Sequence, residues 1–102
     1  MEKFTLYLGL NDKDTKTQKI DILEAYKIVN NILLKYTDGA TIFQANGIYK
    51  HEDGTVVIEQ TLRIELLFVD KNTVKNIVDL LKITFNQESI IVQTQKVDSE
   101  LL

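Results

Sequence analysis

The hydrophobic residues of this chain recur with two different periods, and each period predicts a different type of secondary structure. From Phe4 to Leu10 apolar side chains occupy every second position, which is the pattern of a half-buried β-strand. From Ile22 to Lys35 they recur every three or four positions, which predicts an amphipathic helix. Asp38-Gly39 follows, and the glycine is suited to end that helix because it can adopt a left-handed conformation.

The middle of the chain predicts a long β-hairpin. Two strand-like segments, Ala40–Lys50 and Thr55–Val69, flank Asp53-Gly54, a dipeptide that strongly favours a tight turn. A second helical stripe follows, for which Asp70 or Asn72 can serve as N-cap. The stripe consists of Val74, Ile77, Val78, Leu81 and Phe85. The segment SIIVQTQ then predicts a last short strand.

This order of elements, β-α-β-β-α-β, favours a ferredoxin-like α+β sandwich. We expect a four-stranded antiparallel sheet, in the order 4-1-3-2, with two helices packed on one face. A single domain should span residues 1–96, and residues 97–102 should form a frayed tail. The expected core consists of Leu6, Leu8, Val29, Leu33, Ile58, Leu62, Ile64, Ile77, Val78 and Leu81.

The third strand predicts a face of the sheet that no helix covers, the open face. Its even positions are mostly apolar, whereas Glu59, Thr61, Arg63 and Glu65 occupy odd positions. The same alternation turns Tyr7 outward from the first strand. Because the third strand lies next to the first in the predicted order, we expect these side chains to gather on one exposed surface.

The turn of the hairpin decides which residues of the second strand join that surface. A two-residue turn at Asp53-Gly54, the version we favour, places Gln44 and Asn46 on the open face and turns Phe43 and Tyr49 inward. A three-residue turn with a bulge shifts the register by one residue. Phe43 and Tyr49 would then lie on the open face instead.

Composition and charge narrow the range of functions. The formal net charge is −3, which argues against binding to duplex nucleic acid, because such binding depends on clustered lysine and arginine. There is no cysteine, so thiolate chemistry and disulfides are excluded. No signal peptide or membrane-spanning segment is evident, and we expect a cytoplasmic protein. Eleven lysines against one arginine indicate an AT-rich genome, such as that of a low-GC bacterium or its phage.

Six residues form the candidate surface for a ligand or a partner: Tyr7, Gln44, Asn46, Glu59, Thr61 and Arg63. Arg63 has a planar set of donors that suits a carboxylate or a phosphate. The only histidine, His51, lies on the predicted turn without the converging ligands that a metal needs. We therefore assign no catalytic residue, no metal and no cofactor.

Five short motifs resemble those of a bacterial family, the domain of unknown function three-five-seven-four. They are Leu6–Gly9, Asp38–Thr41, Ala45–Tyr49, the pair Glu59 and Thr61, and Phe85–Ile90. The chain departs from the family pattern at Tyr49, where the family tends to have tryptophan, and it lacks a proline before Asp38-Gly39. The resemblance implies the same fold and contributes no activity.

A second resemblance concerns RNA binding. The segment LYLGLN is similar to the shorter signature of the RNA-recognition motif, which stacks bases on aromatic residues of a sheet. The third strand, however, has two glutamates and no aromatic residue where that motif needs rings and a basic residue. Nucleic acid is accordingly an unlikely partner.

Taken together, these patterns favour a small binding or interaction module that forms a homodimer through the open face or an edge strand. One alternative is a small enzyme or metabolite-binding protein that uses Tyr7, Glu59 and Arg63. Another is an inhibitor of a defence protein, encoded by a phage or a mobile element. A third is a merely solvated face, on which Arg63 is balanced by neighbouring glutamates.

Overall fold

The computed structural model describes residues 1–102 and has the predicted order of elements. These are β1 (Glu2–Gly9), α1 (Ile22–Tyr36), β2 (Thr41–Lys50), β3 (Val56–Leu66), α2 (Lys71–Thr84) and β4 (Ile91–Lys96). The four strands form one antiparallel sheet in the order β2-β3-β1-β4. This is the predicted 4-1-3-2 order seen from the other edge, so the ferredoxin-like fold is confirmed.

Both helices begin at an aspartate whose side chain accepts a hydrogen bond from the first turn. Asp21 accepts from the backbone N–H of Glu24 at 2.9 Å, and Asp70 accepts from that of Thr73 at 2.7 Å. Each carboxylate satisfies an N–H group that has no partner within the helix. Neither helix is long and apolar enough to cross a membrane.

The core lies between the helices and one face of the sheet. The even residues of β1 and the second half of β3 pack against α1 and α2, and the buried apolar residues form one cluster. Its fully enclosed members include Leu6, Leu8, Val29, Leu62, Ile64, Leu66, Ile77 and Leu81. Leu33 is also buried, and Val78 packs against the cluster while partly exposed.

Ile58, which the alternation assigned to the core, is 71% exposed, so that prediction is wrong. The reason is that β1 pairs with β3 as far as Thr61, opposite Gly9, and the next residue, Leu10, makes one more backbone hydrogen bond, to the Gln60 carbonyl oxygen at 3.0 Å. Beyond that point β2 and β3 continue as a two-stranded projection, which we call the arm and define as residues 47–59. The arm contributes to the elongated shape of the chain, 48 × 25 × 23 Å. Side chains on both faces of the arm therefore have no hydrophobic core to pack against.

The hairpin has the three-residue turn, so the register that we favoured from the sequence is wrong. His51 and Thr55 close the turn through a backbone hydrogen bond of 2.9 Å, and Gly54 has a φ of 89°. A two-residue turn of type I′ would require a positive φ at Asp53 as well. Asp53 avoids that conformation, and its side chain accepts a hydrogen bond from the Thr55 N–H instead.

Candidate functional site

The helix-free face of the sheet, which we call the open face, carries the odd residues of β1 and β3. Tyr7 lies directly opposite Arg63, and Gly9 lies opposite Thr61. Glu59 follows two residues before Thr61 on the same strand. Four of the six residues predicted for the site therefore share one surface: Tyr7, Glu59, Thr61 and Arg63.

Gln44 and Asn46 do not join them. Gln44 pairs with Leu62 and Asn46 pairs with Gln60, so both side chains lie on the face that carries the helices. The cause is the three-residue turn, since a shift of one residue exchanges the two faces of a strand. In their place the open face receives Phe43 opposite Arg63, and Tyr49 further along the arm.

Arg63 is held from two sides. Its Nη2 donates to Glu65 Oε2 at 2.5 Å, and its guanidinium carbon lies 5.1 Å from the centre of the Phe43 ring. Glu65 also faces the Lys3 ammonium at 3.6 Å. The Arg63 Nε is buried and has no hydrogen-bond partner. The guanidinium thus has donor capacity left over, beside an aromatic ring that favours cations.

Glu59 reaches sideways onto β1. Its Oε2 accepts the backbone N–H of Asn11 at 2.8 Å, and its carboxylate lies above Gly9, where a methyl group would collide with it. Glycine at position 9 therefore makes room for this side chain. The other carboxylate oxygen remains available to accept a hydrogen bond from a ligand.

The residues beside Thr61 on the open face are small. Ala45 lies opposite Thr61, and Gly47 lies opposite Glu59. A Cβ atom at Gly47 would be 3.3 Å from the Thr61 hydroxyl oxygen, a close contact. Phe43 lies two residues before Ala45 on the same face, and Tyr7 lies two residues before Gly9, so small and aromatic side chains adjoin each other here.

Tyr7 directs its hydroxyl toward the edge of the sheet. The hydroxyl donates to Gln93 Oε1 on β4 at 3.3 Å, while the ring stands half-buried between Arg63 and Ile91. The phenol and the Glu59 carboxylate therefore point to different neighbours. The arrangement suits binding and positioning of a ligand better than proton transfer between these two groups.

Two of the motif residues hold the end of β1 in place. Asn11 receives a hydrogen bond from the Gln87 side chain on its carbonyl oxygen, at 2.7 Å, while its N–H binds Glu59. Glu59 and Gln87 lie far apart in the sequence, and they meet only at this backbone. Sequence reasoning noted both residues but had no signal for their shared contact.

The next residue, Asp12, organises the loop between β1 and α1. Its Oδ1 accepts the backbone N–H groups of Asp14 and Thr15, each at 2.9 Å, and its Oδ2 accepts from Asn86 Nδ2 at 2.9 Å. These bonds, from Thr15 first and then Asn86, hold the pKa of the Asp12 carboxyl well below its usual range, with a further contribution from Lys19. Asp12 thus stays ionised and ties this loop to the end of α2.

A separate groove of about 810 Å³ lies at the end of the sheet away from the turn of the arm. Its walls include Tyr36, the motif segment Asp38–Thr41, Glu65 and Phe68. Phe68 adopts a left-handed φ of 60°, which is uncommon for a residue with a side chain. Of the open-face residues named above, only Glu65 lines this groove.

Comparison with known proteins identifies the chain at the level of a family. A family model described as a protein of unknown function (DUF3574) matches residues 3–101, which agrees with the motifs noted in the sequence. No curated protein matches the chain.

Solved structures with the same fold come from several sources. A phage SAM lyase in complex with S-methyl-5'-thioadenosine is 25% identical, with a TM-score of 0.69 over 93% of this chain and 80% of the lyase chain. A CutA1 variant from Pyrococcus horikoshii OT3 is 16% identical, with a TM-score of 0.60 over 99% of this chain and 87% of that one. The periplasmic divalent cation tolerance protein CutA from Archaeoglobus fulgidus is 15% identical, with a TM-score of 0.61 over 99% and 88%. The two CutA structures show the shared fold alone.

Proposed function

The chain belongs to the DUF3574 family of proteins of unknown function, and from this premise we propose that it is a small, self-associating domain that binds a small molecule on its open face. The observation that carries the proposal is the Arg63 guanidinium. It is central in the sheet, lies between Phe43 and Tyr7, and retains an unpartnered donor. The Nε itself is buried, but the Arg63 side chain is 38% exposed and only its Nη2 is paired, so a carboxylate or phosphate ligand can bind the remaining N–H donors.

The ligand class that we propose is an adenosine thioether or sulfonium compound. Its support is the similar phage SAM lyase, which was solved with S-methyl-5'-thioadenosine. The open face has matching chemistry: the exposed ring of Phe43, beside Arg63, can stack on a base, and Arg63 can bind a carboxylate. The free oxygen of Glu59 can accept a ribose hydroxyl or face a positive sulfur.

Calorimetry with S-methyl-5'-thioadenosine and S-adenosylmethionine tests the ligand class directly. Where one of them binds, a concentration of 100 times its dissociation constant should stabilise the fold by about 2.7 kcal/mol. Arg63→Ala and Tyr7→Ala should weaken that binding at least tenfold, whereas Lys82→Ala on α2 serves as a surface control. Binding that is equal in all four proteins would place the ligand elsewhere, and no binding would refute the ligand class.

A second candidate function is a lyase activity on the sulfonium compound, favoured by the same phage enzyme. In that reaction the Glu59 carboxylate takes a proton from the carbon next to the one that carries the sulfonium, and a carbon–carbon double bond forms as the carbon–sulfur bond breaks. The electron pair of the broken bond goes to the sulfonium sulfur, and the neutral thioether leaves. Glu59 is the carboxylate of the open face with an oxygen to spare for such chemistry. Incubation with S-adenosylmethionine, followed by chromatography for S-methyl-5'-thioadenosine, tests this candidate, and Glu59→Gln should abolish the product.

Self-association is supported by apolar side chains that the monomer leaves in water. On the arm, Ile48 lies directly opposite Ile58, and these residues are 72% and 71% exposed, while Val56 nearby is 54% exposed. Exposed clusters of this kind favour contact with another protein surface. Light scattering at micromolar concentration should give twice the mass of one chain, and a single-chain mass at every concentration would refute the homodimer.

Two of the remaining expectations stay predictions. Location in the cytoplasm is tested by fractionating cells of the source organism. Inhibition of a defence protein is tested by capture of that protein from a host lysate, with Arg63→Ala as the negative control.

A further inference from the structure

The outer edge of β2 is a long strand edge without a partner. In the sheet, β2 has β3 as its only strand neighbour. The backbone bond from His51 to Thr55 shows that the odd residues of β2 exchange hydrogen bonds with β3. Because the pairs of an antiparallel ladder alternate, the even residues direct their N–H and C=O groups outward. These are Ile42, Gln44, Asn46, Ile48 and Lys50.

Little on this edge prevents another strand from pairing with it. The ten residues of β2 contain one charge, Lys50, and the chain has no proline. The ladder between β2 and β3 runs without a bulge from Thr41 to Lys50. Exposed edges are usually protected by short length, charges, proline or bulges. The other edge strand, β4, is shorter, with six residues.

We infer that two copies of this chain pair antiparallel along β2, with a two-fold axis at Asn46. Asn46 is the middle one of the five outward-directed residues, so this register alone lets all five pair. Asn46 meets Asn46 of the partner subunit, Gln44 meets the partner subunit's Ile48, and Ile42 meets the partner subunit's Lys50. No like charges oppose each other, and the two sheets join into one of eight strands. The inference rests on the self-association proposed above and specifies its surface.

The same register completes the open face with a residue from the second copy. Phe43 lies opposite Tyr49 of the partner subunit, on the face that carries Arg63. Directly opposed residues in such a pair have Cβ atoms about 4.5–5.5 Å apart, and aromatic pairs at this distance stabilise the contact. Since the Arg63 guanidinium already covers the Phe43 ring, the partner's ring extends each binding surface. The dimer would therefore hold two such surfaces.

Disulfide crosslinking tests the register, because the natural chain has no cysteine. Hydrogen-bonded pairs have a Cα distance of about 5.5 Å, within the range that a disulfide spans. Asn46→Cys should give a crosslinked dimer under mild oxidation. The matched control is Thr94→Cys at an outward-directed position of β4, as the Val97 to Met1 bond indicates, and it should remain uncrosslinked.

Proline at the same two positions tests the interface without a crosslink. Asn46→Pro removes an outward N–H and should raise the dimer dissociation constant at least tenfold, whereas Thr94→Pro should leave it within a factor of two. Circular dichroism establishes that both variants fold, and the cysteine variants remain informative if one does not. A wild-type dimer that Asn46→Cys fails to crosslink would overturn this inference while leaving self-association intact. A wild-type monomer would overturn both.

Discussion

Gly9→Ala should destabilise the fold, although alanine is usually the better residue in a strand. A glycine in a strand costs about 0.5–1 kcal/mol relative to alanine, because it loses more backbone freedom on folding. At position 9, however, the new methyl group would occupy the space of the Glu59 carboxylate. That carboxylate is the end of a flexible side chain and can move aside. Its movement breaks the 2.8 Å hydrogen bond to the Asn11 N–H.

The size of the effect follows from that lost bond. Hydrogen bonds to charged groups contribute about 1.5–3 kcal/mol, and the lower end applies to this half-buried carboxylate. Subtracting the gain from alanine leaves a net loss of about 1 kcal/mol. In a Glu59→Ala background the carboxylate is absent, so Gly9→Ala should then stabilise the protein by about 0.5 kcal/mol. The predicted change of sign comes from the contact between the two residues alone.

Urea unfolding of the four proteins measures this double-mutant cycle. The coupling between Gly9→Ala and Glu59→Ala should be about 1.5 kcal/mol, well above the error of such measurements. A loss of the same size in both backgrounds would refute the reasoning, because the penalty would then come from the backbone at position 9. A gain in both backgrounds would show that Glu59 does not hold Asn11 in solution.

Three further predictions follow from burial and charge. Ile64→Ala should lower the free energy of unfolding by about 2–5 kcal/mol, whereas Ile58→Ala, at a 71% exposed position, should lower it by less than about 1 kcal/mol. Equal losses for the two variants in urea unfolding would contradict the exposure of Ile58 on the arm. Because the pKa of Asp12 is lowered on folding from an ordinary value of about 3.9, the unfolded chain takes up the proton first, so stability should fall as pH drops below about 5. Asp12→Asn should flatten this dependence, and an unchanged slope of unfolding midpoint against pH would contradict it. Arg63→Ala should lower the free energy of unfolding by about 1 kcal/mol, because the ion pair and the ring contact are lost. Arg63→Lys should lower it by a similar amount, because lysine lacks the planar donors. A thermal unfolding midpoint of Arg63→Lys equal to that of the wild type would contradict this.

Much of the fold could be read from periodicity. The alternation of Phe4 to Leu10 and of the second half of β3 identified which side chains face the helices, and the structure confirms it. The strand order followed from the economy of packing two helices on one face. These features depend on local pattern and on general rules of connection, which is why one sequence suffices to predict them.

The composition of the candidate site was only partly predictable. Tyr7, Glu59, Thr61 and Arg63 lie on central strands, where alternation assigns the face directly. Gln44 and Asn46 lie beyond a turn, and Asp-Gly is compatible with both two- and three-residue turns. In the structure Asp53 does not adopt the positive φ that a two-residue type I′ turn requires and Glu52 joins the turn, and the resulting shift of one residue reverses every side chain of β2.

Tertiary structure alone decided the exposure of the arm and the contacts of Glu59. Ile58 has the same alternation as Ile64, but β1 ends at Gly9 and no helix extends over the arm. Glu59 and Gln87 meet at Asn11 because the sheet brings three distant segments together. Periodicity reports which side of a strand a residue faces, whereas its burial depends on what the rest of the chain places against that side, and that information is nonlocal.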